Sequence, residues 1–119
     1  MAHKDPSQAL QYARDHARKW RAANPQLNRD RVRRSKLKKW YGITPEQYDA
    51  MLEAQGGRCA LFSICGATEP GGRWPSWHVD HDHETNKVRG LLCSHCNTSR
   101  VGMNTIKSAE AVLRYLKRN

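Results

Sequence analysis

Apolar residues recur at helical spacing near both ends of the chain and give way to short, turn-bounded runs between them. From Ser7 to Ala23, Leu10, Ala13, Ala17 and Trp20 mark one face of a helix ringed by Arg14, Arg18, Lys19 and Arg21, and Asn24-Pro25 breaks the run. The segment NRDRVRRSKLKKWYG carries Val32, Leu37, Trp40 and Tyr41 among its charges and predicts a second basic helix that stops at Gly42. Trp40 and Tyr41 are expected to pack on the following domain rather than stack on bases. ITPEQYDAMLEAQGG has the fullest helix signature: Thr44 at the cap, Pro45 in the first turn, Gln47 completing a capping box, Ile43 placed to staple onto Tyr48, and Gly56-Gly57 as the stop. Its stripe of Tyr48, Met51 and Leu52 reads as core. Near the end, SAEAVLRYLKR places Ala109, Val112, Leu113 and Leu116 at helical spacing, with Ser108 as cap, and predicts an amphipathic helix closing the core.

Between these helices the pattern changes. Cys59 and Cys65 bracket ALFSI, and the turn-rich GATEPGGRWPS follows. Trp77 to His83 and Lys87 to Leu92 predict two short strands joined at Glu84-Thr85-Asn86, with Asn86 in the left-handed backbone position of the turn.

Composition makes the core a problem. A chain of 119 residues suits one modest core, and 38% hydrophobic content, one Phe and a mean hydropathy of -0.89 leave that core lean. Small domains in this position add a metal or disulfides. The polar amino terminus and the lack of a long apolar run give no signal peptide or membrane span, so a cytosolic setting is expected. In reducing surroundings Cys93-x-x-Cys96 reads as a metal knuckle. Pairing it with Cys59 and Cys65 gives a four-thiolate zinc site, closed and therefore structural. The first pair is wide for a knuckle, with five intervening residues, so His95 stays open as a substitute ligand.

The charge is lopsided. Of a formal +10, residues 1 to 41 supply nine, from twelve Lys/Arg against three Asp/Glu. A basic block of this kind suits a polyanion, most commonly nucleic acid, against the alternative of a solvated, partly disordered tail.

The zinc assignment does not use up Asp80-His81-Asp82-His83. Two carboxylates and two or three imidazoles crowded on one hairpin repel each other, so an idle cluster is a costly arrangement. A carboxylate with the side-chain carbonyl of Asn97 suits a hard cation such as magnesium, and a neutral imidazole can take a proton from water. That set describes metal-assisted phosphodiester hydrolysis. The competing possibilities are extra zinc ligands or a solvated polar strand. One geometric condition applies: an ideal strand sends Asp80 and His81 to opposite faces, so both can serve one phosphate only where the strand ends or twists.

The run VDHDHETNKVRGLLCSHCN, preceded by YGITPEQYDAMLEAQGGRC, resembles the phage recombination endonuclease VII family of His-Me finger (HNH-like, ββα-metal) nucleases, over about residues 41 to 104. The resemblance implies a small zinc-stabilised ββα-metal element in the domain over residues 42–119; together with the basic helical DNA-binding arm over 1–41 and the carboxy-terminal helix, which match the family only in character, the expected fold is α+β. It implies zinc on Cys59, Cys65, Cys93 and Cys96, catalytic magnesium or manganese on Asp80 and Asn97, His81 as general base, and His83 as an auxiliary histidine at the phosphate with His78 behind it. Asp82 is left structural. DNA is the implied substrate and partner, with no membrane, in a monomer or homodimer, and in the host cytoplasm if the chain is phage-encoded. Phosphate contacts are expected from Arg14, Arg18, Lys19, Arg31, Arg33, Arg34, Lys36, Lys38, Lys39 and Arg89.

Two departures qualify the match. The family has CxxC where this chain has Cys59 to Cys65, which alters the knuckle. The sequence ends at Asn119 without the long carboxy-terminal region through which the junction-resolving relative dimerises. Nicking or cutting duplex DNA is therefore expected rather than Holliday-junction resolution. The rival expectation is a non-catalytic zinc-finger DNA-binding module.

Overall fold

The computed structural model describes residues 5–73 and 75–118; the first four residues of the basic segment lie outside them. The chain divides into two compact units, with the boundary in sequence between Gly42 and Ile43. No helix among the described residues is long and apolar enough to cross a membrane.

In the first unit, α1 (Pro6–Ala23) starts where the Asp5 side chain accepts the Ser7 amide, and α2 (Pro25–Tyr41) ends on Gly42 in the left-handed region. Asn24 makes the break between them: its amide and its side-chain Nδ2 both donate to the Trp20 carbonyl, each at 2.9 Å. The Arg31 guanidinium lies 5.1 Å from the centroid of the Trp20 ring. Burial here is slight, with no buried residue in α1 and only Leu37 in α2. Within this unit Trp40 is 67% exposed.

The second unit holds the sheet. In α3 (Pro45–Ala54) both bonds of the Thr44–Gln47 capping box form. Its Tyr48 hydroxyl donates to the Trp77 carbonyl at 3.2 Å. Gln55, just past α3, docks side-on against β2: the Leu91 amide donates to its Oε1 at 2.8 Å and its Nε2 donates to the Leu91 carbonyl at 3.0 Å. A side-chain amide thus takes the place of a third strand at that residue. The hairpin is β1 (His78–His81) paired antiparallel with β2 (Val88–Leu92), shorter than the sequence pattern suggests, chiefly at its turn end. Its turn closes with Asn86 at φ 59° and with the Asp82 carboxylate accepting the Glu84 and Thr85 amides at 2.8 and 3.2 Å. Those two amides, Glu84 first, hold the Asp82 carboxyl below its ordinary range.

Two elements differ from the sequence reading. The ALFSI stretch, read among loops and strands, contains a helical turn, α4 (Phe62–Cys65), ended by Gly66 in the left-handed region. The last helix, α5 (Ile106–Leu116), is capped by Thr105, with Ser108 as its capping-box partner rather than the cap. It does not close the core: it has no buried residue, and Val112, Leu113 and Leu116 are 53%, 51% and 67% exposed. The buried apolar side chains of this unit are instead Tyr48, Trp77, Val79, Leu91 and Leu92 together with Cys59, Cys93 and Cys96.

Candidate functional site

The four thiols come together in a lean core, in which Cys59, Cys93 and Cys96 stand beside five larger buried apolar side chains. Cys59, Cys65, Cys93 and Cys96 bring their sulfurs within 4.8 Å of one another, and they are the only such group of His, Cys, Asp or Glu among the described residues. A tetrahedral zinc with Zn–S bonds of about 2.3 Å separates its sulfurs by roughly 3.8 Å, so this cluster can hold a metal such as zinc. The wide first pair fits because α4 coils the extra residues into one turn that returns Cys65 to Cys59. His95 is exposed and is not needed as a substitute ligand.

Backbone amides point at the sulfurs as they do around a bound metal. Leu61 and Cys93 donate to Cys59 Sγ at 3.4 and 3.3 Å, Ala67 to Cys65 Sγ at 3.4 Å, and Cys96 to Cys93 Sγ at 3.5 Å. Burial raises the Cys59 thiol and pushes Cys96 up to about 12, whereas the Ala67 amide lowers Cys65. A metal would remove those protons, so loading this cluster releases acid.

After the knuckle, Cys96–Arg100 forms a π-helical turn, closed by the Val101 amide donating to the Cys96 carbonyl at 2.7 Å. It sets Arg100 Nη1 3.2 Å from Cys96 Sγ, a contact whose sequence signal is the i, i+4 spacing of the two residues. Gly102 is required beside it, because a Cβ there would collide with the Asn97 carbonyl oxygen and lie 2.9 Å from that of Thr98. Removing the guanidinium leaves a buried thiolate without its charged partner. Arg100→Ala is therefore expected to weaken zinc binding about tenfold, the lower end for loss of a ligand's outer partner. Competition with a chelating dye reads this directly.

The Asp-His-Asp-His run divides into separate roles. Asp82 caps the turn, as expected of a structural residue. The rings of His81 and His83 are 4.7 Å apart, tilted at 55°. His78 has its Nε2 buried with no hydrogen-bond partner among the described residues. Asp80 is held by Arg89, whose Nε donates to Oδ2 at 2.8 Å and Nη2 to Oδ1 at 3.0 Å. Arg89, expected at a phosphate, thus pairs with this carboxylate.

The register explains how. His78, Val79 and Asp80 face Leu92, Leu91 and Gly90 in turn, but His81 faces Val88, leaving Arg89 unmatched. The extra residue lies in β2, so the bulge bends that strand and breaks its alternation around Arg89, while β1 ends at His81. Asn97, from the π-helical turn, is half-buried, and its amide donates to the Cys93 carbonyl at 3.0 Å. Of the arm residues, Arg14, Lys19, Arg33, Arg34, Lys36, Lys38 and Lys39 are exposed along α1 and α2; Arg18 pairs with Asp15 at 2.9 Å, and Arg31 lies over Trp20.

The model of the family described as recombination endonuclease VII matches residues 34–118. The Gene 59 protein of Mycobacterium phage D29 is 42% identical over 80 residues, which are 66% of this chain and 46% of that protein. The Gene 59 protein of Mycobacterium phage L5 is 47% identical over 62 residues, 52% of this chain and 35% of that one. The chain thus spans less than half the length of these curated relatives. No solved structure matches. Because the family match runs from within α2 to just past the end of α5, taking in the whole hairpin and all four cysteines, the chain belongs to the recombination endonuclease VII family.

Proposed function

We propose that this protein is a divalent-metal-dependent DNA endonuclease, hydrolysing phosphodiester bonds on a zinc-stabilised ββα-metal (His-Me finger) element over residues 42–119, with residues 1–41 as a basic arm that holds the DNA. The observation that carries the reading is that β1 ends at His81. Within a strand Asp80 and His81 would turn to opposite faces, and the end of the strand frees His81 from that alternation.

In this reading Asp80 and Asn97 would hold magnesium or manganese, two hard oxygen donors for a hard cation. The bound ion supplies Lewis-acid neutralisation of the charge that develops on the phosphate and the leaving oxygen. His81 takes the proton of the attacking water, and His83, in contact with the His81 ring, positions the phosphate. The cysteine cluster, loaded with zinc, fixes β2 and the π-helical turn to each other through Cys93 and Cys96. Arm contacts to the phosphate backbone would give affinity with little base readout.

The rival is a zinc module that binds DNA without cutting it, and one observation favours it: Asp80 already has a cationic partner in Arg89. Supercoiled plasmid distinguishes the two. Zinc-loaded protein should convert it to nicked or linear forms with magnesium or manganese and not with a chelator that strips only the weakly held cation. Plasmid that is retarded on a gel yet stays supercoiled with both cations would select the rival.

A further inference from the structure

Arg89 reaches Asp80 only because of the bulge. In unbroken register Arg89 would oppose His81 and point to the face away from Asp80. As the unmatched residue it comes round to the Asp80 side, and Gly90, directly across from Asp80, has no side chain to stand between them. The fork then covers both carboxylate oxygens, and Nη2 also donates to the His81 carbonyl at 3.3 Å. The two partners differ in exposure: the Asp80 side chain is 13% exposed and that of Arg89 46%. The guanidinium is thus the more exposed partner of a largely buried carboxylate.

A small hard cation binds a carboxylate oxygen at about 2.0 to 2.1 Å and holds the rest of its octahedron strictly. A fork spanning both oxygens takes one lone pair of each, leaving a second positive group only the remaining ones on a largely buried carboxylate, and two positive groups on one carboxylate repel. We infer that Arg89 and the divalent cation are alternative partners of Asp80. Arg89 is a positioning residue that keeps the carboxylate aligned and must swing off it when the cation arrives, which sets a threshold for metal loading. This rests on the proposed role of Asp80 as a cation ligand. The released guanidinium, still tethered to the hairpin, becomes available to DNA phosphate. Metal and DNA should then assist each other's binding through this one side chain, by equal factors.

The test is manganese affinity of the zinc-loaded full chain, read from the free-ion signal in electron paramagnetic resonance, with and without uncleavable duplex DNA. Arg89→Gln, which keeps a polar stem but no charge, is expected to bind manganese on the order of tenfold tighter than wild type without DNA. The gain from adding DNA should be smaller in the variant. A merely structural role for Arg89 predicts the opposite sign, because losing a support loosens the site. Affinity unchanged or weakened in Arg89→Gln, alongside binding lost in Asp80→Asn, would overturn the competition and leave the nuclease reading standing. Manganese affinity unchanged in Asp80→Asn would overturn the ligand role itself, and the competition with it.

Discussion

Cys93→Ser is expected to abolish the cooperative folding of the second unit. Cys93 is 5% exposed, its sulfur accepts the Cys96 amide, and its own amide donates to Cys59 Sγ. Structural zinc contributes on the order of 10 kcal/mol to folding in small domains, comparable with the whole stability of an ordinary one. The alternative sources of stability are few. Five larger apolar side chains, Tyr48, Trp77, Val79, Leu91 and Leu92, are buried in this unit, and α5 adds none. Serine is nearly isosteric but binds zinc poorly, so the change removes metal affinity with little loss of packing. Circular dichroism should show no cooperative melt for the second unit, while helical signal from α1 and α2 persists, and zinc analysis should fall below one ion per chain. A cooperative melt within a few degrees of wild type, with a full complement of zinc, would show that the cysteines are not what holds the fold.

The second large effect is chemical. His81→Ala is expected to reduce metal-dependent cleavage by about 10²- to 10⁴-fold, the usual contribution of a positioned general base. Its melting temperature should move by only a few degrees, because His81 is partly exposed at the end of β1 and its substitution opens no core cavity. The contrast between the variants is the informative result. Cys93→Ser should lose fold and activity together, whereas His81→Ala should lose activity alone. The reverse order in melting curves would mean that the structural and catalytic parts had been exchanged.

Much of the fold is legible in the sequence where local chemistry determines it. The Thr44-to-Gln47 capping box and the stop at Gly42 are decided by backbone amides and side chains a few residues apart, and both form. Asn86 in the left-handed position is of the same kind. What the sequence hides is set by contacts between distant segments. Four residues are too few to show a helical period, so α4 is visible only once Cys65 is seen to return to Cys59. The apolar spacing of α5 marks one face correctly but cannot say whether anything covers that face, and it stays exposed.

The site shows the same division. The cysteine cluster could be read from spacing because thiolates have few other uses in so small a chain. The pairing of Arg89 with Asp80 could not, since it depends on a one-residue slip in β2 that moves Arg89 from one face of the sheet to the other. The only local hint was Gly90, as glycine inside a strand often marks a bulge or a close approach. Gln55 was hidden for another reason: it lies just past its helix, where a polar residue looks like solvent-facing punctuation, yet it holds both polar groups of Leu91.

The convergence of Asp80, Asn97 and His81 on one cation and one phosphate is most directly tested by a crystal structure of the zinc-loaded protein with duplex DNA and manganese, phased so that manganese and zinc are told apart by anomalous scattering. The account predicts a manganese peak in contact with oxygens of both Asp80 and Asn97 at about 2.1 Å, with Arg89 withdrawn and the His81 imidazole facing the bound phosphate. Manganese away from Asp80 and Asn97, or a DNA phosphate out of reach of His81, would contradict it.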